Sequence, residues 1–439
     1  MKKIFVLVLL LCIALSYALE NTKDEDMMLK ITGFTENSVL DKAGAEVGDY
    51  ILRYNGNIVH KISKLSELKE QVNSNQIQIT ILREIIVQVL TVPRGQLGAY
   101  LMEVKQDHKI EQDAVIIAGI GKLGWGIGME NSFHGCVTLL EEKYGDKTSY
   151  TDILGLSGYA FRNHFFDCWC PSSPDATVGY NTGEKVLEVL GYKYYVYHSV
   201  NENEQFSKAG LTTHEMTEKI KKSIDNGYPV IAIDLIEVPE WGLITGYQKA
   251  GKELFCRTYY DKTEGYEIAQ KNPWIIFVIE GKKKAKLKKS YKNSLEIAKE
   301  LYTSEKYDNY FSGIKATEEW IKALEDKMFY KDIEPDKFAE MKHANWWIYY
   351  SLMQARAFSS LYLQENAEKF NAKAADVERL AALYKQESEF LTNNIQAVPS
   401  SVNGLDKRQW NYEERLKQAE ILKEFLSMEK EVLQILENI

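Results

Sequence analysis

The hydrophobic rhythm of the chain changes near residue 290, and that change limits what it can fold into. From Ser290 to Ile439 apolar residues recur at helical spacing. Val377, Leu380, Ala381 and Tyr384 keep the i, i+3, i+4, i+7 pattern, and Leu422, Phe425 and Leu426 repeat part of it. Only Pro399-Ser400-Ser401-Val402-Asn403-Gly404 breaks the later half of this stretch. Before residue 280 the pattern is strand-like alternation and short apolar runs punctuated by glycine. The expectation is a multidomain α+β protein with a small β domain at residues 28–104, an α+β domain at 114–280 and a helical bundle at 290–439. At 439 residues the chain has length for two to four domains with cores of their own.

The first residues are Met1-Lys2-Lys3, followed by the apolar run Ile4–Leu15 and the exit Ser16-Tyr17-Ala18. A basic start, a short apolar core and a small-x-small exit predict a secretory signal peptide over residues 1–18. No other segment approaches the ~20 apolar residues of a membrane span. The mature chain is therefore expected to be exported, to the periplasm or the medium, without a transmembrane segment. Its balance of 54 basic and 63 acidic side chains, net −9, argues against a nucleic-acid partner. The Lys-rich stretch at 282–289 reads as a solvated linker running into a helix.

Within 28–104, Leu29–Thr32 alternates like a strand, Glu36–Gly44 is a short helix closed by glycine, and Val47–Leu52 returns to strand. Asn55-Gly56 marks a tight turn. Ser63–Val72 is helical by the spacing of Leu65, Leu68 and Val72, and Ile77–Leu82 and Ile85–Val92 are strands. This order, with Ser38, Ala43-Gly44, Gly48-Asp49-Tyr50-Ile51 and Asn55-Gly56, resembles a PDZ domain of the bacterial type. Gly95-Gln96-Leu97-Gly98-Ala99 resembles that family's carboxylate-binding loop, placed late as in permuted versions. The resemblance implies that Gln96, Leu97, Gly98 and Ala99 hold the C-terminus of a peptide or protein partner, which adds a strand to the sheet edge.

In 114–280, Gly119-Ile120-Gly121-Lys122-Leu123-Gly124 matches the dinucleotide-binding string literally, but two further glycines follow at 126 and 128. A pyrophosphate site needs a helix opening at that point, so a backbone-rich loop is expected and no nucleotide. No metal and no other cofactor is expected: Cys168-Trp169-Cys170 lacks the usual zinc or redox spacing and reads as structural. Downstream, Gly183–Leu190 and Thr213–Asn226 read as helices, Pro229–Asp234 as a buried strand, and 241–247 with 253–259 as a hairpin. Trp274–Ile279 is a further strand. Trp346-Trp347 and Tyr349-Tyr350 read as core or domain-interface residues.

Cys136 directly precedes the apolar, helix-like run Val137–Tyr144. A thiol at a helix start feels the positive end of the backbone dipole, which favours the thiolate. Asn131–Cys136, Leu156–Arg162, Gly227-Tyr228-Pro229-Val230 and Trp241–Tyr247 are similar to the C39-like branch of papain-fold proteins. With the helical tail, residues 114–439 resemble the family named for a butirosin-biosynthesis acyltransferase. The resemblance implies a Cys136 nucleophile, an oxyanion donor such as Asn131, and a histidine base where this chain has Glu240-Trp241. It also implies an orienting group on the next strand, where Asp261 is suitably placed. Asn131 reads equally well as a helix cap.

An ionised Glu240 beside Cys136 would repel a thiolate; raised toward neutrality by burial, it could serve as a general base. His134, His164 and His198 are the substitutes for the missing imidazole. The reading that follows is an exported protein whose degenerate papain-like cleft holds a peptide or glycan of the envelope without conventional cysteine-protease activity. The alternatives are an active thiol peptidase, amidase or acyltransferase using Cys136, and a structural adaptor of the cell envelope.

Overall fold

The computed structural model describes residues 27–83, 86–105, 114–125, 128–144, 148–200, 210–262, 265–328, 333–370, 372–400 and 409–439. The expected leader, residues 1–18, lies outside them. The protein is mixed α+β, with a large mixed sheet and a C-terminal helical region. No described helix is long and apolar enough to cross a membrane.

The chain begins with β1 (Met27–Phe34), α1 (Val39–Lys42), β2 (Tyr50–Tyr54), β3 (Asn57–Ile58) and α2 (Ile62–Gln71). It continues through β4 (Gln76–Arg83), β5 (Ile86–Pro93), β6 (Ala99–Lys105) and β7 (Ala114–Ile117). Local chemistry explains the breaks. Asp41 N donates to Ser38 Oγ (3.1 Å), capping α1, and Gly44 follows it at φ +97°. Asn55 and Gly56 both take positive φ, 48° and 81°, as a two-residue hairpin between β2 and β3 demands. The Gly48-Asp49 string has a structural use, because Arg83 grips the buried Asp49 carboxylate with Nε at 2.9 Å and Nη2 at 2.8 Å. Leu29, Ile31, Leu40, Ile51, Leu65, Leu68, Ile79, Leu90 and Leu97 form one core.

Further along come α3 (Ser132–Tyr144), α4 (Tyr150–Ser157), β8 (His164–Phe165), α5 (Thr182–Val189), β9 (Tyr192–His198) and α6 (Thr213–Asp225). Then follow β10 (Val230–Ile233), β11 (Trp241–Gln248), β12 (Glu253–Arg257), β13 (Glu267–Ile268) and β14 (Ile275–Lys282). The tail holds α7 (Leu287–Thr303), β15 (Lys306–Tyr307), β16 (Tyr310–Ser312), α8 (Gly313–Glu325), α9 (Pro335–Glu365), α10 (Ala374–Asn394) and α11 (Tyr412–Asn438).

The described residues divide into two compact units. One takes those of 1–128, 142–145 and 194–281, and the other those of 129–141, 146–193 and 282–439. In the first, the main path of the sheet runs β6-β1-β2-β4-β5-β7-β11-β10-β14-β9. β7 pairs β5 in parallel and β11 antiparallel, so the β-rich beginning and the later hairpin share one sheet. Gly246 sits where β11 bulges against β12 and faces β7 on its other side, and a Cβ there would lie 2.4 Å from Val115 O. That contact accounts for the glycine of the Gly246-Tyr247 string. After β7, residues 118–124 open no helix, as the glycine spacing predicts.

The second unit is mainly helical. Trp320, Tyr349, Leu352, Leu422 and Phe425 belong to one of its buried clusters, and Leu156, Leu301, Tyr362, Leu380 and Val432 to another. The tail is not helix alone. β15 and β16 form a hairpin that pairs β8, with Phe311 opposite Phe165 and Ser312 opposite His164. Asp308, at φ +51°, turns the chain between the two strands.

Candidate functional site

In the first unit the loop of Gln96, Leu97, Gly98 and Ala99 leads into β6. Among the described residues β6 pairs only with β1, so it forms one edge of the sheet. The loop that precedes it is held from behind. Leu97 is buried in the core, its carbonyl accepts from Leu40 N (3.2 Å) and Ser38 Oγ (3.1 Å), and Gly98 O accepts from Thr35 N (2.8 Å). Gly98 sits at φ +71°, where a Cβ would approach Ser38 Cα to 2.7 Å. With the carbonyls turned inward, the N–H groups of Gln96, Leu97 and Gly98 donate to no acceptor among the described residues. Successive amides without protein acceptors can receive an anion where they converge. The Glu103 carboxylate on β6 accepts from Ile62 N (2.9 Å) and so ties the first turn of α2 to the edge strand.

Glu240 and Asp261 belong to the first unit, and Asn131 and Cys136 to the second. Glu240 is half-buried just before β11. Burial first, and then the charges of Glu240 and Glu237, push the Tyr260 hydroxyl up, which puts these carboxylates close to that ring. Asp261 is committed within its own turn: Oδ1 accepts from Thr258 N and Oδ2 from Arg257 Nη1, both at 3.0 Å. Burial raises its pKa against the pull of those two partners. Arg257 also donates to Gly265 O (2.7 Å) and lies 4.4 Å from the Tyr266 ring centroid. Each carboxylate oxygen of Asp261 thus already accepts from a partner within this turn. Cys256 is buried nearby, and burial followed by the Asp261 and Glu267 charges pushes its thiol up to about 12.

In the second unit, α3 begins at Ser132, four residues before Cys136, whereas the sequence places the helix start immediately after it. Asn131 is the reason. Its Oδ1 accepts from His134 N at 3.2 Å and its carbonyl from Gly135 N at 2.9 Å, so Gly135 is carried inside the helix. The cap reading of Asn131 therefore holds. Cys136 becomes the fifth helical residue, beyond the first turn in which the dipole acts, and is fully buried.

Around this helix start lies a buried polar cluster. His134 Nδ1 is 2.6 Å from Asn131 Oδ1, an acceptor, which makes Nδ1 the protonated nitrogen. Burial, then the Arg162 charge, hold the ring well below its ordinary pKa against a weaker pull from the Thr182 backbone. Nε2 is thus an unprotonated nitrogen in a dry setting, without an aligned hydrogen-bond partner. Arg162 is fixed by four carbonyls: Pro174 and Asp175 (both 2.7 Å), Tyr180 (3.1 Å) and Val178 (3.2 Å). His164 is buried with neither ring nitrogen partnered, and its pKa is driven well down by burial and then by Arg162. It borders a cavity of about 20 Å³ with Arg162, Tyr159 and Ser351, room for about one water. His198 is exposed at the end of β9.

Of the histidine substitutes, two are therefore buried and neutral in the unit that holds Cys136. The sequence pointed to Leu156–Arg162 as a structural string, without signalling that Tyr159 and Arg162 would organise a cavity. No group of three or more acidic, histidine or cysteine side chains among the described residues is arranged to hold a metal ion. No known protein family matches the chain, and no curated protein matches it.

Proposed function

We propose that this is an exported peptide-binding protein that captures the C-terminus of a partner at its PDZ-like segment. The partner chain adds a strand at the β6 edge, and its terminal carboxylate is received by the N–H groups of Gln96, Leu97 and Gly98. The observation that carries the reading is the loop itself: its carbonyls are consumed from behind and those three amides are left without acceptors. The papain-like segment then serves as a second ligand-holding module of the envelope. Complete burial of Cys136 and the commitment of Asp261 to Arg257 favour holding over cysteine-peptidase chemistry.

The test is fluorescence anisotropy with a labelled heptapeptide pool of randomised C-termini, in free-acid and amidated forms. Capture of a carboxylate predicts saturable binding of the acid pool and at least roughly tenfold weaker binding of the amide, since charge-assisted hydrogen bonds are lost. Equal binding of the two pools, or none, refutes the reading.

A further inference from the structure

Beside Tyr159, the second unit carries a small cavity with a buried cation on its wall and no acidic side chain. Its polar lining is Tyr159, Arg162, Asn163, His164, Ser173 and Ser351. Two of these are committed elsewhere: Asn163 Nδ2 donates to Thr317 Oγ1 and Ser173 Oγ to Cys170 O, both at 2.8 Å. Arg162 is 5 % exposed. Its four Nη bonds all go to carbonyls, which leaves Nε–H without an acceptor among the described residues.

Those carbonyls are dipoles, not charges. Ion pairs are made by Arg83, Arg257 and Arg356, and none among the described residues joins Arg162 to a carboxylate. The Asp175 carboxylate, which accepts from Thr177 N (2.8 Å) and Oγ1 (2.6 Å), pulls on the guanidinium from beyond ion-pair distance. A cation taken out of water and set among neutral groups is costly, and a counter-anion offsets part of that cost. His164 supplies a second donor. It is 4 % exposed with neither ring nitrogen partnered, and a neutral imidazole carries one N–H. Its ring is held near Tyr307 and Tyr310, each centroid 6.1 Å away, and against Gly179, where a Cβ would lie 2.5 Å from Cε1. The space is about 20 Å³, which fits one water or one monatomic anion and is too small for sulfate or phosphate.

We propose that this cavity binds a halide ion such as chloride, held by Arg162 Nε–H, the His164 ring N–H and the Ser351 hydroxyl. Ser351 lies on α9, whereas Arg162 and His164 lie between α4 and α5, so the ion ties these two segments together. The site is separate from the β6 edge and does not depend on peptide capture there.

The experiment is thermal melting of the full chain at constant ionic strength, with sodium gluconate replaced stepwise by sodium chloride, bromide or sulfate. A ligand that binds only the folded chain raises the melting temperature, and a specific site makes the gain depend on its own half-point. Chloride and bromide should give that gain and sulfate should not. Ser351→Leu fills the cavity, and His164→Phe keeps the ring while removing its nitrogens. Only the response to chloride is read, so a shift in either variant's own melting temperature does not enter. Ser351→Leu should lose the chloride-specific gain. His164→Phe should need roughly tenfold more chloride for the same gain, the factor expected for one hydrogen bond to an anion. Equal chloride responses in the wild type and a folded Ser351→Leu protein, an unchanged half-point in His164→Phe, or a matching gain from sulfate overturns the proposal.

Discussion

Arg356 Nε lies 3.1 Å from Glu387 Oε2, both side chains fully buried, without the alignment of a hydrogen bond. The guanidinium aligns instead with Glu429, Nε to Oε1 at 3.0 Å, and donates through Nη1 to Ala160 O at 3.1 Å. The group links α9, α10 and α11 to the turn that carries Tyr159 and Arg162, and Tyr302 of α7 donates to Glu429 at 2.9 Å. One buried cation faces two carboxylates, so one carboxyl is held neutral. Burial, then the Glu429 charge, raise Glu387 well above the ordinary carboxyl range, and Arg356 opposes them.

This arrangement sets a pH dependence. Glu387 holds its proton in the folded chain and has lost it in the unfolded chain once the pH exceeds ~4.3, the ordinary glutamate value. The folded state then binds more protons, so this group lowers stability as pH rises from there toward its folded pKa. Urea melts of the wild type and Glu387→Gln should diverge with pH: between pH 5 and 8 the wild type loses stability that the variant keeps. Parallel stability–pH curves for the two proteins would contradict a neutral Glu387. Arg356→Met, which leaves Glu429 without its counter-charge, should cost about 3–5 kcal/mol in the same melts.

Gly98 is a position where the loop proposed to capture a peptide is easily damaged. A methyl group at its Cβ would meet Ser38 Cα at 2.7 Å, and the residue would sit at φ +71°. Gly98→Ala should therefore cost about 2 kcal/mol or more in urea melts and weaken free-acid peptides while leaving the amidated pool unchanged. Loss of both pools in parallel would indicate general unfolding rather than a carboxylate loop.

Much of this fold was legible because it follows from short-range rules. The Asn55-Gly56 turn, the glycine that follows α1 and the Leu65–Leu68 face each depend on a few neighbouring residues, and β11 and β12 follow from alternation. The parallel pairing of β5 with β7 was not legible, because nothing in either strand names its partner. Nor was the β15–β16 hairpin, seven residues from Lys306 to Ser312 lying between two strongly periodic helices. In the site, Asn131 was ambiguous between cap and oxyanion donor, and only its contact with His134 N decides. Trp347 and Tyr350 read as core; they line a recess because α9 turns that face toward Tyr150 and Tyr159.

The four cysteines among the described residues should separate cleanly by reactivity. Cys168 is exposed and Cys170 half-buried, with the Tyr310 hydroxyl 3.4 Å from its sulfur, whereas Cys136 and Cys256 are buried. Burial, then the Asp261 and Glu267 charges, push the Cys256 thiol up to about 12, so it stays protonated at pH 8. Iodoacetamide followed by peptide mass spectrometry should find Cys168 labelled first and Cys136 and Cys256 labelled only after unfolding. Rapid labelling of Cys136 in the native protein, faster than Cys168, would revive thiol catalysis and count against the binding reading.

Asn131 joins the helix cap to the buried imidazole, and the two roles are separable. Asn131→Ala removes the acceptor for both His134 N and His134 Nδ1, and should cost about 1 kcal/mol for the cap alone, more if the ring nitrogen is left unsatisfied. Asn131→Asp keeps the cap and places a negative charge 2.6 Å from the ring. That charge should favour the imidazolium and lift the His134 pKa toward its ordinary range. The check is NMR titration of the His134 ring in the wild type and the Asp variant. An identical, fully neutral ring in both down to pH 5 would mean that burial alone decides its charge.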